Sequence, residues 1–434
     1  MTSILLCSTP VHGHVTPLLA VARFLVERGH RVRFLTGERY RDAVATTGAT
    51  YLPLPAEADY DDTDMDAAFP GRVGLKGPAG IRYDVATIFL RPAPAQLRAI
   101  DAALATEPAD VILAEGLFIG VTLLLSRPRD ARPAVISLGV LPLGLTSVDT
   151  APFGLGIPPR RGPIGRIRNM LLRLVAEKVV FGSLQAQFER MVHETTGKTI
   201  TNFFMNSAAL ADAVVQFTVP GFEYPRRDLP STVHFVGPVS RATASETPLP
   251  TWWDELDGSR PVVHVTQGTV ANKDYGELIA PTIRGLANEN VLVIVSTGGR
   301  EVATLPAPLP ANVRVSAYLP YDRLLPLTDV YVSNGGYGGT HYAMEYGVPI
   351  VVAGETEDKT EVSARIGWSG VGVNLKTNRP SPDQVRAAVM KVLGANAYRE
   401  ASARIGAEIA GSAGLDGLES VIAELVTART DASA

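Results

Sequence analysis

Several kinds of residue and segment are scarce in this sequence, and each absence excludes a kind of site or partner. Only one cysteine, Cys7, occurs among 434 residues, so neither an internal disulfide nor a thiolate metal cluster can form. Charged residues make up 19% and leave a net charge of -4, with no cluster of Lys and Arg interleaved with aromatic residues. Nucleic acid is therefore not an expected partner, because its phosphates require a basic surface.

Long apolar runs are also missing. Strongly apolar stretches such as GLFIGVTLLL are much shorter than a helix that crosses a bilayer, so no membrane span is expected. The N-terminus lacks the basic region of a secretory signal peptide. Together with the single cysteine, these features predict a cytoplasmic protein and leave peripheral membrane association open.

The remaining sequence alternates between two kinds of segment. Short β-rich runs and helical stretches follow one another from SILLCST to PAVISLG, and a second series of this kind begins at PVVHVTQGT. Such alternation predicts βαβ crossovers and parallel sheets with helices on both faces. The length also exceeds what one hydrophobic core usually supports. The predicted fold class is therefore α/β, with two Rossmann-like doubly wound domains that face each other across a cleft.

The alternation of strand-like and helical segments stops in one region, and this region predicts the domain boundaries. Small, polar and Pro residues over residues 239–260 are typical of a linker. We expect it to separate an N-terminal domain, residues 1–238, from a C-terminal domain, residues 261–395. Long loops at 55–78 and 139–163 are expected to surround a substrate cleft, although the acidic run of the first loop is alternatively a solvated surface.

A glycine-rich segment, VSNGGYGGTHYAMEYGVP, lies between a predicted strand and a helix expected after Gly339. Open parallel sheets bind ligands at the carboxyl ends of their strands, and a helix N-terminus offers free N–H groups to an anion. We therefore predict a diphosphate site here. Because the segment is neither the dinucleotide fingerprint nor a Walker A motif, a purely structural turn is the alternative. The candidate residues are Asn334, Gly335, Gly336, Gly338, Gly339 and Thr340.

Other strand ends of the C-terminal domain add candidates to the same cleft. The segment GVPIVVAGETEDK ends a strand with acidic and basic side chains, and carboxylates there could bind sugar hydroxyls. The segments VTQGT and AYLPY bring small, hydroxyl and aromatic groups to neighbouring strand ends. The resulting candidates are Glu357, Asp358, Lys359, Gln267, Gly268, Thr269 and Tyr318.

Two histidines, His12 and His14, follow the first strand, in a turn before a helix expected to begin at Thr16. His14 lies at a strand carboxyl end, where a neutral imidazole can act as a general base, and Gly13 precedes it. Glu115 ends the strand DVILAE and could orient and charge-stabilise that imidazole. A structural role is preferred for His12 and is the alternative for His14 and Glu115.

Taken together, these segments resemble the inverting, nucleotide-sugar-dependent glycosyltransferases of the GT-B type, a family that includes plant glucosyltransferases and actinobacterial macrolide and antibiotic glycosyltransferases. The resemblance covers nearly the whole chain and is carried by HGHVTPLLAVARFLVERGHRVRFLTG, VHFVGPV, PVVHVTQGT and SNGGYGGTHYAMEYGVPIVVAGETEDK. It implies transfer of a sugar, glucose from UDP-glucose as the best guess, to a hydroxyl of an apolar acceptor such as a macrolide, ansamycin or polyphenol. It also implies that no metal or cofactor is needed and that residues 396–434 form helices that pack back on the core.

Residue by residue, the resemblance assigns roles to several candidates. His14 falls on the family's general base, and Glu115 falls where the family has an Asp partner. Tyr318 falls near the aromatic that stacks on the nucleobase, and residues 268–269 fall at the diphosphate. Asp358 falls on the acid that binds hydroxyls of the donor sugar.

Four positions depart from the family pattern. Asn334 replaces the phosphate-binding His, and Gly339 with Thr340 replaces the Ser or Thr of the helix start. Tyr342 replaces the Glu that binds ribose, and Lys359 replaces the Gln that follows the sugar-binding acid. Asn334 can still donate a hydrogen bond, so phosphate binding is expected to survive, whereas recognition of the ribose and the sugar is less secure.

Three other functions stay open. One is a natural-product glycosyltransferase that uses a TDP-deoxysugar, and another is a non-catalytic helper on the same fold. The third is a nucleotide-sugar epimerase. A binding-only protein needs no base, and an epimerase needs no apolar cleft, whereas the apolar segments RYDVATIFL and residues 138–157 are expected to line one. A homodimer is also left open.

Overall fold

The computed structural model of the chain describes two parallel β-sheets, each with helices on both faces. The described residues are 1–75, 77–239, 247–269, 272–305 and 307–433, without the side chains of Pro78 and residues 430–433. Two doubly wound sheets confirm the predicted α/β class. Of the predicted linker, residues 240–246 lie outside the described residues.

All strand pairs within the described ranges are parallel. The N-terminal sheet consists of β1 (Ser3–Cys7), β2 (Arg31–Thr36), β3 (Thr50–Pro53), β4 (Val111–Glu115), β5 (Ala134–Gly139), β6 (Ala213–Gln216) and β7 (Val233–Phe235). The C-terminal sheet consists of β8 (Val262–Thr266), β9 (Leu292–Ser296), β10 (Val313–Ser316), β11 (Val330–Ser333), β12 (Ile350–Val352) and β13 (Gly372–Asn374). The strand orders are β3-β2-β1-β4-β5-β6-β7 and β10-β9-β8-β11-β12-β13.

The helices connect these strands and follow the last of them. They are α1 (His12–Glu27), α2 (Arg41–Ala45), α3 (Met65–Ala68), α4 (Gly77–Asp84), α5 (Ala93–Thr106), α6 (Gly120–Leu124), α7 (Pro163–Val175), α8 (Gly182–Thr196), α9 (Ile279–Leu286), α10 (Tyr321–Leu324), α11 (Tyr337–Glu345), α12 (Lys359–Ser369), α13 (Pro382–Leu393), α14 (Asn396–Ala410) and α15 (Leu415–Ser433). Two π-helical stretches, Val85–Leu90 and Ala176–Val180, directly follow α4 and α7.

The central strands are buried on both faces, which explains their continuous apolar sequence. In β1, Ile4 packs into the same apolar cluster as Leu18 of α1. Its neighbour Leu5 packs into the cluster on the other face, together with Ile100 of α5. Because successive side chains of a strand point to opposite faces, one apolar run serves both layers of helices.

Helix α1 begins at His12 and not at Thr16, so the predicted start is wrong. The residue before the helix, Val11, offers no side-chain cap. The carboxylate of Asp62, 50 residues further along the chain, accepts the N–H of His12 at 2.6 Å instead. A helix N-terminus needs such acceptors for its unpaired N–H groups, and this one is supplied by a distant loop that a local pattern does not reveal.

The C-terminal helices contact both domains. Helix α14 packs Ile405 and Ile409 into the apolar cluster that contains Met344 of α11. Helix α15 then reaches the N-terminal domain, where Leu418 joins the cluster around Leu18. Residues 396–433 therefore tie the end of the chain to both cores.

A buried ion-pair network joins the two domains. The guanidinium of Arg365, on α12, lies 2.9 Å from the carboxylate of Glu223, which belongs to the N-terminal domain, and 2.7 Å from that of Glu361. Burial would raise the pKa of Glu223, but Arg365 and Arg226 hold that pKa below its ordinary value. The backbone N–H of Leu143 adds a hydrogen bond of 2.8 Å to the same carboxylate. The junction therefore depends on matched charges shielded from water.

We predict that Arg365→Ala lowers the free energy of unfolding by about 3–5 kcal/mol, because it leaves buried carboxylates without their main partner. The loss is measured by urea denaturation at pH 7. The control is Arg41→Ala, since Arg41 pairs with Glu38 on the surface with both side chains more than half exposed. That variant should lose less than about 1 kcal/mol. Equal losses in the two variants would contradict the network's role.

A buried imidazole and a glycine helix at facing sheet edges

The two sheets reverse their strand order at equivalent places, and both candidate regions lie there. In the N-terminal sheet β1 is flanked by β2 and β4, and in the C-terminal sheet β8 is flanked by β9 and β11. Connections leave such a pair toward opposite faces, which opens a crevice at the carboxyl ends of the strands. The segment after β1 holds His14 and the end of β4 holds Glu115, while Gln267 and Asn334 follow β8 and β11.

His14 and Glu115 form a buried hydrogen-bonded pair. His14 Nδ1 lies 2.9 Å from Glu115 Oε2, although 101 residues separate them in the chain. The same carboxylate accepts the backbone N–H groups of Thr9 at 3.1 Å and Leu117 at 2.7 Å. These bonds fix the ionised carboxylate, and the longer Glu side chain reaches the imidazole. Within the described ranges no partner contacts His14 Nε2, so this nitrogen is available to a ligand.

The surroundings of His14 raise the pKa of its imidazole. Burial acts to lower this pKa, since only 7% of the residue is exposed. The charge and hydrogen bond of Glu115 act in the opposite sense, and the carboxylates of Asp358 and Glu357 on the C-terminal domain add to them. The net direction is upward. The imidazole is thus adapted to take up a proton, which is the first requirement of a general base.

Gly13 occupies the first turn of α1, directly before His14. It is exposed, and a side chain placed on it would meet no atom within 4 Å. His12 is half-buried and lies 3.4 Å from Thr269 of the opposite domain. The N-terminal turn of α1 therefore faces the C-terminal domain, with space in front of Gly13.

The glycine-rich segment contains both packed and open positions. Gly335 has φ +89°, and a Cβ there would lie 3.0 Å from Val352. A Cβ on Gly339 would lie 2.8 Å from the hydroxyl of Tyr331. Gly336, in contrast, has ordinary backbone angles and open space around it, and Gly338 is exposed. Part of the glycine content thus serves packing, and Gly336 and Gly338 present accessible backbone.

Helix α11 begins at Tyr337, so the start expected after Gly339 is wrong. The N–H of Thr340 bonds to the carbonyl of Gly336 at 3.0 Å, and its hydroxyl donates to the same oxygen. Thr340 is fully buried, so its side chain faces the protein. The N–H groups of residues 337–339 precede this first helical bond and are the free donors of the helix dipole.

Contacts with the N-terminal domain explain why a glycine-rich segment is helical. The amide of Gln216, at the end of β6, donates to the hydroxyl of Tyr337 at 3.2 Å. His341 Nε2 lies 2.6 Å from the hydroxyl of Thr218. Both partners come from the other domain, so tertiary contacts stabilise α11 despite the low helix propensity of glycine.

A cavity of about 110 Å³ beside this helix brings together three of the predicted residues, Gln267, Asn334 and Lys359. The Asn334 amide donates to the carbonyl of Gln267 at 2.8 Å. The side-chain oxygen of Gln267 accepts N–H groups at the start of α9 and is buried, so this side chain has a structural role. Asn378 and Glu277, which the sequence analysis did not single out, also line the cavity.

Residues 357–359 provide charge at the head of α12. Glu357 has φ +55°, is largely exposed and forms an ion pair with the buried ammonium of Lys359. Burial raises the pKa of Asp358 to about 6, while Lys359 and His14 act against this shift. Within the described residues, no three His, Cys, Asp or Glu side chains converge to hold a metal ion.

Gly268 and Tyr318 lie farther along the C-terminal sheet edge. Gly268 has φ +72°, a conformation that favours glycine, and Thr269 beside it is exposed. Tyr318 is 56% exposed, and a Cβ on Gly299 would collide with its hydroxyl at 2.2 Å. The Tyr318 ring therefore covers the Gly299 backbone and leaves a face for stacking.

Of the apolar segments predicted to line an acceptor cleft, one contributes a ring near His14, whereas the other places leucines in a core. Phe89 lies with its ring centroid 6.4 Å from that of His14. Leu143 and Leu145 instead pack with Val214 in a small core, so their expected place in the lining is wrong. The loop that follows them is fastened to α12, since Glu361 accepts the N–H groups of residues 154 and 156, each at 2.9 Å.

Comparisons with known proteins show the family of the chain. Residues 283–415 match the family model of the erythromycin biosynthesis protein CIII-like C-terminal domain. The chain is 42% identical to 4'-demethylrebeccamycin synthase of Lentzea aerocolonigenes over 410 residues, 94% of this chain and 95% of that one. It is 33% identical to UDP-glucosyltransferase A1 of Starmerella bombicola over 434 residues, which cover 98% and 92%.

The fold is also similar to a solved structure, the glycotransferase of kitacinnamycin. The TM-score is 0.73 at 20% identity, with 98% of this chain and 100% of that chain covered. Two doubly wound domains of this kind make up the GT-B fold. With the identities above, the chain belongs to the family of natural-product glycosyltransferases, and it is an enzyme.

We predict that the pKa of His14 lies above 6.5 and that Glu115→Gln lowers it, because the carboxylate charge is lost. Both values are measured by NMR titration of the imidazole ring. His264 is an internal control in the same spectra, since burial lowers its pKa to about 4. A His14 pKa that is unchanged in Glu115→Gln would show that the pair is not electrostatically coupled.

Proposed function

We propose that this enzyme transfers glucose from UDP-glucose to a hydroxyl of an apolar small molecule, with inversion at the anomeric carbon. The observation that carries the proposal is the buried His14–Glu115 pair, whose imidazole interacts electrostatically with Asp358 and Glu357 of the domain that bears the glycine helix. The relative named UDP-glucosyltransferase A1 supports the choice of donor. The proposed acceptors are macrolides, ansamycins and polyphenols, and one relative is named as a rebeccamycin-type synthase.

In the proposed step, His14 Nε2 removes the proton from the acceptor hydroxyl. The acceptor oxygen forms a bond to the anomeric carbon while the bond from that carbon to the diphosphate oxygen breaks, and UDP leaves with the electron pair. The proton stays on the imidazole, where the Glu115 carboxylate stabilises the positive charge, and is then released to water. A general base of this kind contributes about 10²- to 10⁴-fold to the rate.

The leaving diphosphate would be held by the N–H groups of residues 337–339 at the start of α11. Free amide donors together with the positive end of the helix dipole stabilise such an anion. Asn334 and Lys359 line the adjacent cavity, and Lys359 supplies a cation there. Asp358 interacts electrostatically with both Lys359 and His14, and its carboxylate could accept hydroxyls of the sugar. We propose that these groups act without a metal ion or cofactor.

One observation favours a TDP-deoxysugar as a second candidate donor. Tyr342 occupies the position of the ribose-binding Glu, and its ring packs edge-on against Tyr321 with centroids 5.9 Å apart. An aromatic side chain there offers no carboxylate to the hydroxyls of a ribose, and the deoxyribose of a TDP donor has one hydroxyl fewer. Thermal-shift measurements with UDP and TDP distinguish the two donors, because the bound nucleotide stabilises the fold by mass action.

We predict that His14→Ala lowers kcat by about 10²- to 10⁴-fold and leaves the Kd of UDP unchanged, since the imidazole acts on the acceptor. Mass spectrometry of a panel of apolar hydroxylated acceptors with UDP-glucose gives the rates. His193→Ala is the control, because His193 is exposed on α8, and it should retain full activity. Retention of turnover in His14→Ala would refute the assignment of the base.

We predict that Gly336→Asp abolishes the thermal shift produced by UDP, because its carboxylate repels the diphosphate at the same donors. Gly336 precedes α11 as its capping residue, where Asp is favourable, so stability should change by less than about 1 kcal/mol. Gly336→Asn has the same size without the charge and should keep most of the shift. If UDP stabilised the Asp variant as it does the wild type, the diphosphate would lie elsewhere.

A further inference from the structure

Helix α7 carries a row of exposed apolar side chains. Those at 164, 167, 171, 174 and 175 follow the i, i+3, i+7, i+10, i+11 spacing of one helical face. Each of these five residues is between 49% and 64% exposed, and Met170 beside them is 61% exposed. The residues of this apolar face are Ile164, Ile167, Met170, Leu171, Leu174 and Val175. An apolar area of this extent on a soluble domain usually marks an interaction surface.

The side of α7 that faces the protein is small and polar. Asn169 is fully buried, and its amide donates to the carbonyl of Val148 at 3.1 Å. Arg173 donates to the carbonyl of Ser147 at 2.5 Å. A Cβ on Gly165 would collide with the carbonyl of Arg160 at 1.8 Å, so the chain is closely packed there. In most surface helices the apolar side chains face the core and the polar ones face solvent. In α7 this arrangement is reversed.

Basic residues border the apolar face, and one of them, Arg166, lies 4.0 Å from the carboxylate of Asp149. Residues 158–181 contain six Arg or Lys residues and one acidic residue, Glu177, in a chain whose net charge is -4. Arg160, Arg161, Arg166 and Lys178 are exposed. Arginine and lysine can extend past an apolar face to reach anionic groups at the level of lipid headgroups.

We propose that α7 docks this protein on the surface of an anionic lipid bilayer, with its apolar face in the headgroup region and its basic residues on lipid phosphates. A second copy of the chain is disfavoured as the occupant, because a twofold contact would bring two like-charged rims together. Anionic headgroups complement that charge and contribute to binding with each basic residue. No helix of the described residues is long and apolar enough to cross a bilayer, so the contact is peripheral.

The position of α7 suggests what such docking achieves. Its buried side donates hydrogen bonds to the loop at Ser147 and Val148. The same loop continues to Gly154, whose N–H donates to Glu361 of α12 in the C-terminal domain. A docked helix would therefore place the loop near the membrane surface, where apolar molecules concentrate. That consequence rests on the proposed function, whereas the docking itself does not.

The test is co-sedimentation of the full chain with vesicles. Vesicles of phosphatidylcholine with phosphatidylglycerol should bind the wild type about tenfold more strongly, or better, than vesicles of phosphatidylcholine alone. Ile167→Ser/Leu174→Ser and Arg160→Ser/Arg161→Ser should each reduce binding to the anionic vesicles about tenfold or more. The control is Met390→Ser, which removes an exposed apolar side chain on α13 and should bind like the wild type. Melting temperatures verify that each variant is folded.

Three results would overturn the proposal. The first is a wild type that does not sediment with anionic vesicles or binds neutral vesicles equally well. The second is unchanged vesicle binding in both α7 double variants. The third is a lipid-free dimer that becomes monomeric in Ile167→Ser/Leu174→Ser, as size-exclusion chromatography with light scattering would show, since a second copy would then cover the face. Because no readout involves sugar transfer, failure here leaves the proposed function untouched, and the reverse also holds.

Discussion

The hydrogen bond between His14 and Glu115 is the contact on which the rest of the site depends. It exists because β1 and β4 are neighbours in the sheet, so the segment after one strand meets the end of the other. Three donors share the carboxylate, which keeps it ionised despite its burial. The same contact engages Nδ1 of the imidazole and leaves Nε2 for another partner. A change in this pair would alter both the orientation and the basicity of the imidazole.

The C-terminal domain also places polar side chains where its strand order reverses, but these side chains are amides. Its strand order reverses between β8 and β11. The side-chain amide of Asn334, after β11, donates to the carbonyl of Gln267, after β8. Helix α11 leaves this edge and rests on the N-terminal sheet through Tyr337 and His341. The helix that offers free amides is therefore positioned by the domain that carries His14. Arg365 and Glu223 reinforce that alignment from α12, so the fold couples the two halves of the site by buried polar contacts.

The parts of this arrangement that follow from local pattern could be predicted from sequence. Alternating apolar runs gave the two doubly wound sheets, and strand-end positions singled out His14, Glu115 and Asn334. The start of α1 was missed because its cap, Asp62, belongs to another loop. The start of α11 was missed because contacts with Gln216 and Thr218 override glycine propensity.

Other residues could not be predicted because apolar character alone does not reveal which side of a segment is buried. Leu143 and Leu145 were expected in a cleft lining, yet they pack with Val214. In α7 the apolar side chains lie outside while Asn169 lies inside, the opposite of the usual helical pattern. The ion pair of Arg365 with Glu223 joins residues 142 positions apart, a separation that carries no local signal. Tertiary contacts decide each of these cases.

We propose that an imidazole of one domain faces amide donors of the other across a bound nucleotide. A crystal structure of the UDP complex tests it most directly. We expect diphosphate oxygens about 3 Å from the backbone nitrogens of residues 337–339, with His14 Nε2 directed into the space beside them. A diphosphate bound away from α11, or an Nε2 that donates to the protein interior, would contradict it.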